Sequence, residues 1–469
     1  MPVPSTTQHA AQSDGLPVPR RYWAMAAIAL AIAMSVLDST IVNVALPTIA
    51  RDFGASSAAS IWVINAYQLA ILVVLLPLAS LGETVGYRRI AQTGLVVFTL
   101  ASLGCACAPT LLTLCIARII QGLGAAGIMG VSAALVRFTY PRRHLGRAIG
   151  INAFVVASSA ALGPTLAAAV LAVAHWRWLF GINVPLGVVT LLIAVCALPE
   201  NELARRPLDL VGAALYAGTF GLLLSGLQSL AHHAATALAL VPIACACLFG
   251  LLLVRRELRR DAPLIPFDLL RIRVFSLSLL TSVCSFMAQA TALVALPFEI
   301  QRLGHGAVAT GLLMTPWPLA LALAAPLAGR LADRYAAGML GGLGLAVLAA
   351  GLLLLAFFPA GGSVAGFVWR MAVCGLGFGF FQAPNNRAII ASTPRERSGA
   401  AGGMLSAARL LGQSLGAASV AILFRGYAVS GSNVALCVAA LLALSGAVVS
   451  AFRLRGKPPH GTLSSEGFT

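Results

Sequence analysis

Asp38 and Arg118 are ionisable residues set inside long apolar runs. A charge at the centre of a bilayer is costly, so such residues mark ion pathways, proton relays or buried pairs. Asp38 lies about nine residues from the end of its run, ~13 Å along a helix. Arg118 lies about seven residues into a run that starts from the same face, ~10 Å deep. The two can therefore meet at one level. Gln121 and Gly122 follow Arg118 at i+3 and i+4, on its face. Burial favours the neutral acid, whereas a nearby guanidinium favours the carboxylate. A group so balanced can load and release a proton as its surroundings change. A static ion pair that anchors two helices is the alternative reading.

The other candidates are fewer and weaker. Arg409 lies about halfway through its run with Gln413 at i+4, suited either to an anionic substrate or to a structural role. Glu299 sits at the outer end of a run, as a wetted rim residue or a second cation-facing acid. Phe286 and Phe381 can line an apolar cavity or simply pack. Ser159, Gly163 and Ala167 form a small-residue stripe that permits close helix approach. Pro164 removes the backbone bond to the carbonyl of Ala160 and kinks the helix. A hinge and plain tight packing both fit that pattern. The nine cysteines form no CxxC and have no His cluster beside them, so they are expected to be small buried hydrophobes, with no metal and no cofactor. The absence of a GxxxxGK[ST] pattern removes any reason to propose ATP drive.

The elements that position these residues follow from composition. Of 469 residues 59% are hydrophobic and 10% charged, against about 25% charged in a soluble domain. That excludes a soluble enzyme and a disordered chain. Apolar runs of about 20 residues span a ~30 Å hydrocarbon layer as helices, not as barrel strands. Fourteen spans are expected, at about 22–47, 59–81, 90–108, 111–136, 146–172, 178–198, 209–230, 236–254, 274–299, 307–328, 338–358, 364–390, 398–424 and 432–452. The fold class is thus an all-α integral membrane protein with 14 transmembrane helices. The net charge of +17 suggests nucleic acid only for a soluble chain. Most of the 31 basic residues fall in loops on one side, which the charge-bias rule makes cytoplasmic, with both termini there. Aromatic residues such as Trp176 and Trp317 are expected to anchor at the interfaces.

The longest cytoplasmic connections flank spans seven and eight. This divides the chain into a tail (1–21), a six-helix bundle (22–200), a two-helix insert (201–260), a second six-helix bundle (261–453) and a C-terminal tail (454–469). Pro77–Glu83 resembles Leu327–Asp333, and the Arg118 segment resembles the Arg370 segment, at an offset of about 250 residues in both cases. Two such matches in register suggest a duplication, as in secondary transporters with a central site.

Several segments together resemble the fourteen-span drug:proton antiporters of the major facilitator superfamily. Leu37–Pro47, which includes Asn43, is similar to the first-helix motif. Ala79–Arg89 is similar to the cytoplasmic GxLxDxxGRR loop, with Ala79, Glu83 and Tyr87 departing from it. Gly329–Asp333 is a closer second copy. Arg118–Ala126, Leu162–Pro164, Trp176–Trp178 with Ile182–Gly187, and Arg409 with Gly412 resemble further family motifs. The resemblance implies that Asp38 is a coupling acid and Arg118 its partner. It implies that Glu83, Gly86, Arg88, Arg89 and Asp333 belong to gating loops, and that Gly163 and Pro164 form an antiport hinge. Candidates for the substrate cavity are Asn43, Gln121, Glu299, Phe286, Phe381 and Arg409. The implied protein is not an enzyme. It is a monomer in the bacterial inner membrane that exports lipophilic, often cationic, small molecules in exchange for protons, with no nucleic-acid partner. An exporter of one metabolite, and a transporter-like receptor without turnover, are the alternatives.

Overall fold

The first helix has 33 residues, about 50 Å at 1.5 Å per residue, which is more than a ~30 Å hydrocarbon layer needs. The computed structural model describes residues 15–141, 144–200, 209–231, 236–260, 267–332, 334–359, 362–393, 398–427 and 431–453. Among them all regular structure is helical. The first half comprises α1 (Arg20–Asp52), α2 (Ser57–Ser60), α3 (Trp62–Val85), α4 (Tyr87–Ala106), α5 (Leu111–Thr139), α6 (Leu145–Val173), α7 (Trp178–Gly181) and α8 (Asn183–Ala197). Next come α9 (Leu210–Ala231), α10 (Thr236–Glu257) and the short α11 (Phe267–Leu270). The second half comprises α12 (Arg273–Arg302), α13 (Ala307–Met314), α14 (Pro316–Leu331), α15 (Ala337–Ala356), α16 (Val364–Ala391), α17 (Ser398–Gly426) and α18 (Gly431–Phe452).

Twelve stretches are long and apolar enough to cross a membrane, or thirteen if the bent α6 counts as one span. The expected fourteen is thus not reached on this criterion. The α6 axis turns by 41° between Phe154–Ala160 and Leu162–Val173, next to Pro164, which cannot bond back to Ala160. α10 carries Arg255, Arg256 and Glu257 in its last turn. Leu112, Leu323, Leu343 and Leu441 are each at least 60% exposed. Such residues would be a liability in water and are at home in hydrocarbon.

Local chemistry sets the turns. Thr110 and Thr113 cap the start of α5 reciprocally. Gly86 joins α3 to α4 at φ 113°, a conformation that a side chain would strain. Helix pairing then repeats: α5 packs on α3 and α4, and α1 on α6 and α8, while α16 packs on α14 and α15, and α12 on α17 and α18. The contacts repeat in atomic detail. A Cβ on Gly124 would meet the Gly94 carbonyl and the Phe98 nitrogen, and one on Gly377 would meet the Gly344 carbonyl and the Leu348 nitrogen, all within 2.7 Å.

The apolar core is distributed unevenly along the bundle. At the end remote from both termini, one cluster joins Leu46, Ile49 and Ile64 to Phe286, Leu296, Ile300 and Met314, so the two halves share a seal there. Arg51 donates to Gln301 Oε1 at 2.9 Å, and the Thr165 and Thr315 hydroxyls are 2.9 Å apart, across the same seam. At the end bearing the termini the core splits. One cluster lies on α1, α3, α4, α5 and α8, reached by Leu410, and a smaller one surrounds Phe275, Ile389 and Met404.

Candidate functional site

Asp38 is 2% exposed, and four helices meet around it. Arg118 of α5 donates through Nη1 to Oδ2. Gln121 Nε2 and Asn183 Nδ2 each donate to Oδ1 at 2.9 Å. The sequence expectation that Asp38 and Arg118 share one level agrees with this contact. Arg118 is itself fully buried. It donates through Nε to the Val63 carbonyl at 3.0 Å and through Nη1 to Gln121 Oε1 at 2.7 Å, and its guanidinium lies 4.0 Å from the centre of the Tyr67 ring. Gln121 also donates to Ser102 Oγ at 2.8 Å. Arg118 Nη2 has no hydrogen-bond partner.

The backbone makes this possible. α8 begins at Asn183, directly after Ile182, which keeps helical backbone angles between α7 and α8. Gly122 lets α5 approach α3: a Cβ there would meet the Tyr67 carbonyl at 2.6 Å. The carboxylate thus takes a charge-assisted bond from one arginine and bonds from two side-chain amides, three donors on its two oxygens. Protonation removes the counter-charge of a buried arginine and one acceptor together. Tyr67, Ser102 and Asn183 were not expected here. Asn183 stands in the sequence segment Ile182–Gly187, but nothing in linear spacing brings it to Asp38.

The remaining candidates are scattered. Gln121 belongs to the Asp38 cluster. Asn43 lies on α1 with a buried Oδ1 that accepts nothing. Glu299 is 7% exposed and is tied to Arg302 one turn on. Phe286 and Phe381 are 3% and 0% exposed and stack edge-on against Phe378. They are core packing, not cavity wall. Trp176 and Trp317 are each 1% exposed, a correction to interfacial anchoring. Trp176 Nε1 instead donates to Asp52 at 2.7 Å.

Around the α3–α4 turn, Arg88 pairs with Glu200 at 2.8 Å and bonds the Val195 carbonyl, so it latches onto the end of α8. Glu83 and Arg89 are exposed. Asp333 lies outside the described residues, as do residues 1–14 and 454–469 of the tails. Gly163 packs directly on α1, where a Cβ would meet Thr40 Oγ1 at 2.1 Å, and Pro164 is buried beside it. Arg453, just past the end of α18, turns inward. It donates to Ser278 Oγ at 2.9 Å and to Asn385 Oδ1 at 2.7 Å. Just outside the membrane Asp209 accepts from the Gly212 N–H, Arg256 and Arg260. Burial acts to raise its pKa, but those donors outweigh burial and hold it below the ordinary carboxylate value.

Comparison with known proteins gives the same architecture a family. The match to the Major Facilitator Superfamily covers residues 28–417, and a second covers 278–468. The chain belongs to the Major Facilitator Superfamily. It is 52% identical to the "Uncharacterized transporter YebQ" of Escherichia coli (strain K12), over 94% of this chain and 98% of the relative. It is 33% identical to the "Multidrug resistance protein Stp" of Mycobacterium tuberculosis (strain CDC 1551 / Oshkosh), over 83% of this chain and 73% of that one. Among solved structures, a D-xylose-proton symporter has a TM-score of 0.66 at 14% identity, covering 92% of this chain and 97% of the symporter. That likeness is one of fold alone. This superfamily member is therefore a multi-pass membrane transporter of small molecules, and not an enzyme.

Proposed function

We propose that this chain is a proton-coupled antiporter that exports lipophilic compounds, drugs or biocides among them, by alternating access across a bacterial inner membrane. The observation that carries this reading is the enclosed Asp38, held by Arg118, Gln121 and Asn183. It is the one mid-span carboxylate among the described residues, and its partners come from two other helices of the first bundle, α5 and α8. The 33% identical relative named for multidrug resistance supports a drug cargo.

In this proposal two six-helix bundles, 22–200 and 261–453, rock about a central cleft, with α9 and α10 as an insert that brings the spans to fourteen. The charge bias assigns the end bearing the termini to the cytoplasm. The shared apolar cluster then closes the outer side, and the cleft opens inward. A proton that reaches Asp38 discharges the carboxylate, frees Arg118 from its counter-charge and loosens α1 from α5 and α8. Gly163 and Pro164 let α6 follow α1. Glu83, Gly86, Arg88 and Arg89, with Asp333 as the second-half counterpart, gate the cytoplasmic end, where the Arg88–Glu200 latch must open and close.

The test is dye efflux from proteoliposomes under an imposed pH gradient. Wild type is expected to drive a lipophilic dye against its gradient, and Asp38→Asn to show no response to ΔpH. Wild-type protein that moves no solute under any gradient would favour a receptor without turnover.

A further inference from the structure

Deep in the second half, the cleft-side face of α17 carries an arginine that the proton site does not use. Arg409 is half-buried. On the exporter reading above, the surface it keeps faces the cleft between the bundles. Neither Arg409 nor Gln413, one turn on, makes a hydrogen bond or ion pair among the described residues. An arginine in such a place normally finds a carboxylate or a carbonyl.

Helix geometry gives the direction. Gly412 and Gly416 press on α12, where a Cβ on either would meet the Val283 or Met287 backbone within 2.7 Å. Gly403 lies against Leu76 of α3 on the opposite side. Leu411 and Leu415 join the cluster that holds Phe220 and Leu224 of α9. At 3.6 residues per turn, Arg409 and Gln413 occupy the remaining face, opposite α9 and toward the middle of the bundle. α3 and α17 run antiparallel, and with Gly403 beside Leu76, Gln68 comes level with the space between Arg409 and Gln413. Gln68 Oε1 is buried and unpaired, as is Asn43 Oδ1 on α1.

The charge balance at this depth is one-sided. Asp38 is committed to three donors, and Glu299 is paired at the far end of α12. No free carboxylate among the described residues is placed to receive a cation.

We infer that the cleft takes an amphipathic organic anion, whose carboxylate, phenolate or sulfonate is met by Arg409 and Gln413 while apolar walls hold the remainder. This rests on the exporter reading above and replaces the cationic cargo with an anionic one. The guanidinium fork suits two oxygens at once. Expelling an anion for an entering proton also moves charge in one direction, so the membrane potential assists export.

The test uses two dyes on one xanthene scaffold, anionic fluorescein and cationic rhodamine 123. Fluorescence anisotropy measures their binding to the purified full-length chain in detergent, independently of turnover. Wild type is expected to bind fluorescein at least tenfold more tightly than rhodamine 123. Arg409→Gln is expected to abolish that preference, and Arg409→Lys to retain part of it. A wild type that binds rhodamine 123 as well as fluorescein, or binds neither, overturns the inference. So does an unchanged preference in a folded Arg409→Gln. Fluorescein binding without efflux from proteoliposomes would refute export while leaving the anion site intact.

Discussion

Replacing Asp38 by Asn tests the proton site at its centre. The change keeps an acceptor for Gln121 and Asn183 but turns an amide toward Arg118 Nη1, which loses its only carboxylate. At ~4 Å and an effective dielectric constant of about 20 the lost attraction is about 4 kcal/mol, in line with the 3–5 kcal/mol typical of breaking a buried pair by removing one partner. Asp38→Asn is therefore expected to be destabilised by about 4 kcal/mol in urea or thermal unfolding. Removing both charges relieves the orphaned cation, so Asp38→Asn with Arg118→Gln is expected to recover most of that stability. Coupling is expected to behave differently, because the double variant still has no acid to protonate. Efflux driven by ΔpH in proteoliposomes should be lost in both variants, while downhill exchange survives in the stable double variant. Full ΔpH-driven efflux by the double variant would refute the reasoning, since the scaffold would then couple without its carboxyl.

Three further outcomes are expected. Gly163→Ala places a Cβ 2.1 Å from Thr40 Oγ1 and should cost about 1–3 kcal/mol by overpacking; adding Thr40→Ala should restore the thermal midpoint, and a failure to do so would place the strain elsewhere. Thr165→Cys with Thr315→Cys should oxidise readily, because the native hydroxyls are 2.9 Å apart; the bond should arrest transport until it is reduced, whereas full transport in the oxidised form would exclude opening at that seam. Asp209 has a depressed pKa in the folded chain, so its contribution is present above the unfolded value of about 3.9 and lost as pH falls below it. Asp209→Asn should melt lower than wild type at pH 7, and the two should converge below about pH 4; a constant gap down to pH 3 would contradict that assignment.

Depth within a membrane was legible in the sequence, but direction around a helix was much less so. A rise of 1.5 Å per residue sufficed to bring Asp38 and Arg118 to one level. It gave no sign of Asn183, because a rise along the axis does not say which way α8 faces this residue. Nor does linear spacing reveal that Arg453 meets Ser278, Asn385 and Ser450. Trp176 and Trp317 stand near helix ends, where linear reading expects wetted anchors, yet neighbouring helices cover them. The expected duplication is echoed in matching glycine contacts, which periodicity alone would not give.

The lopsided core has a consequence for the resting protein. Apolar contact is non-directional, so the shared cluster works like a stopper that holds while its parts slide. Parting it exposes leucine and isoleucine surface from both halves at once, whereas the opposite mouth has far less to lose. An empty carrier should therefore idle with its external door shut, sparing the cell a drain on its proton store. Trimming Leu46 or Ile300 should make that door swing without cargo, and the first symptom would be acid leaking inward.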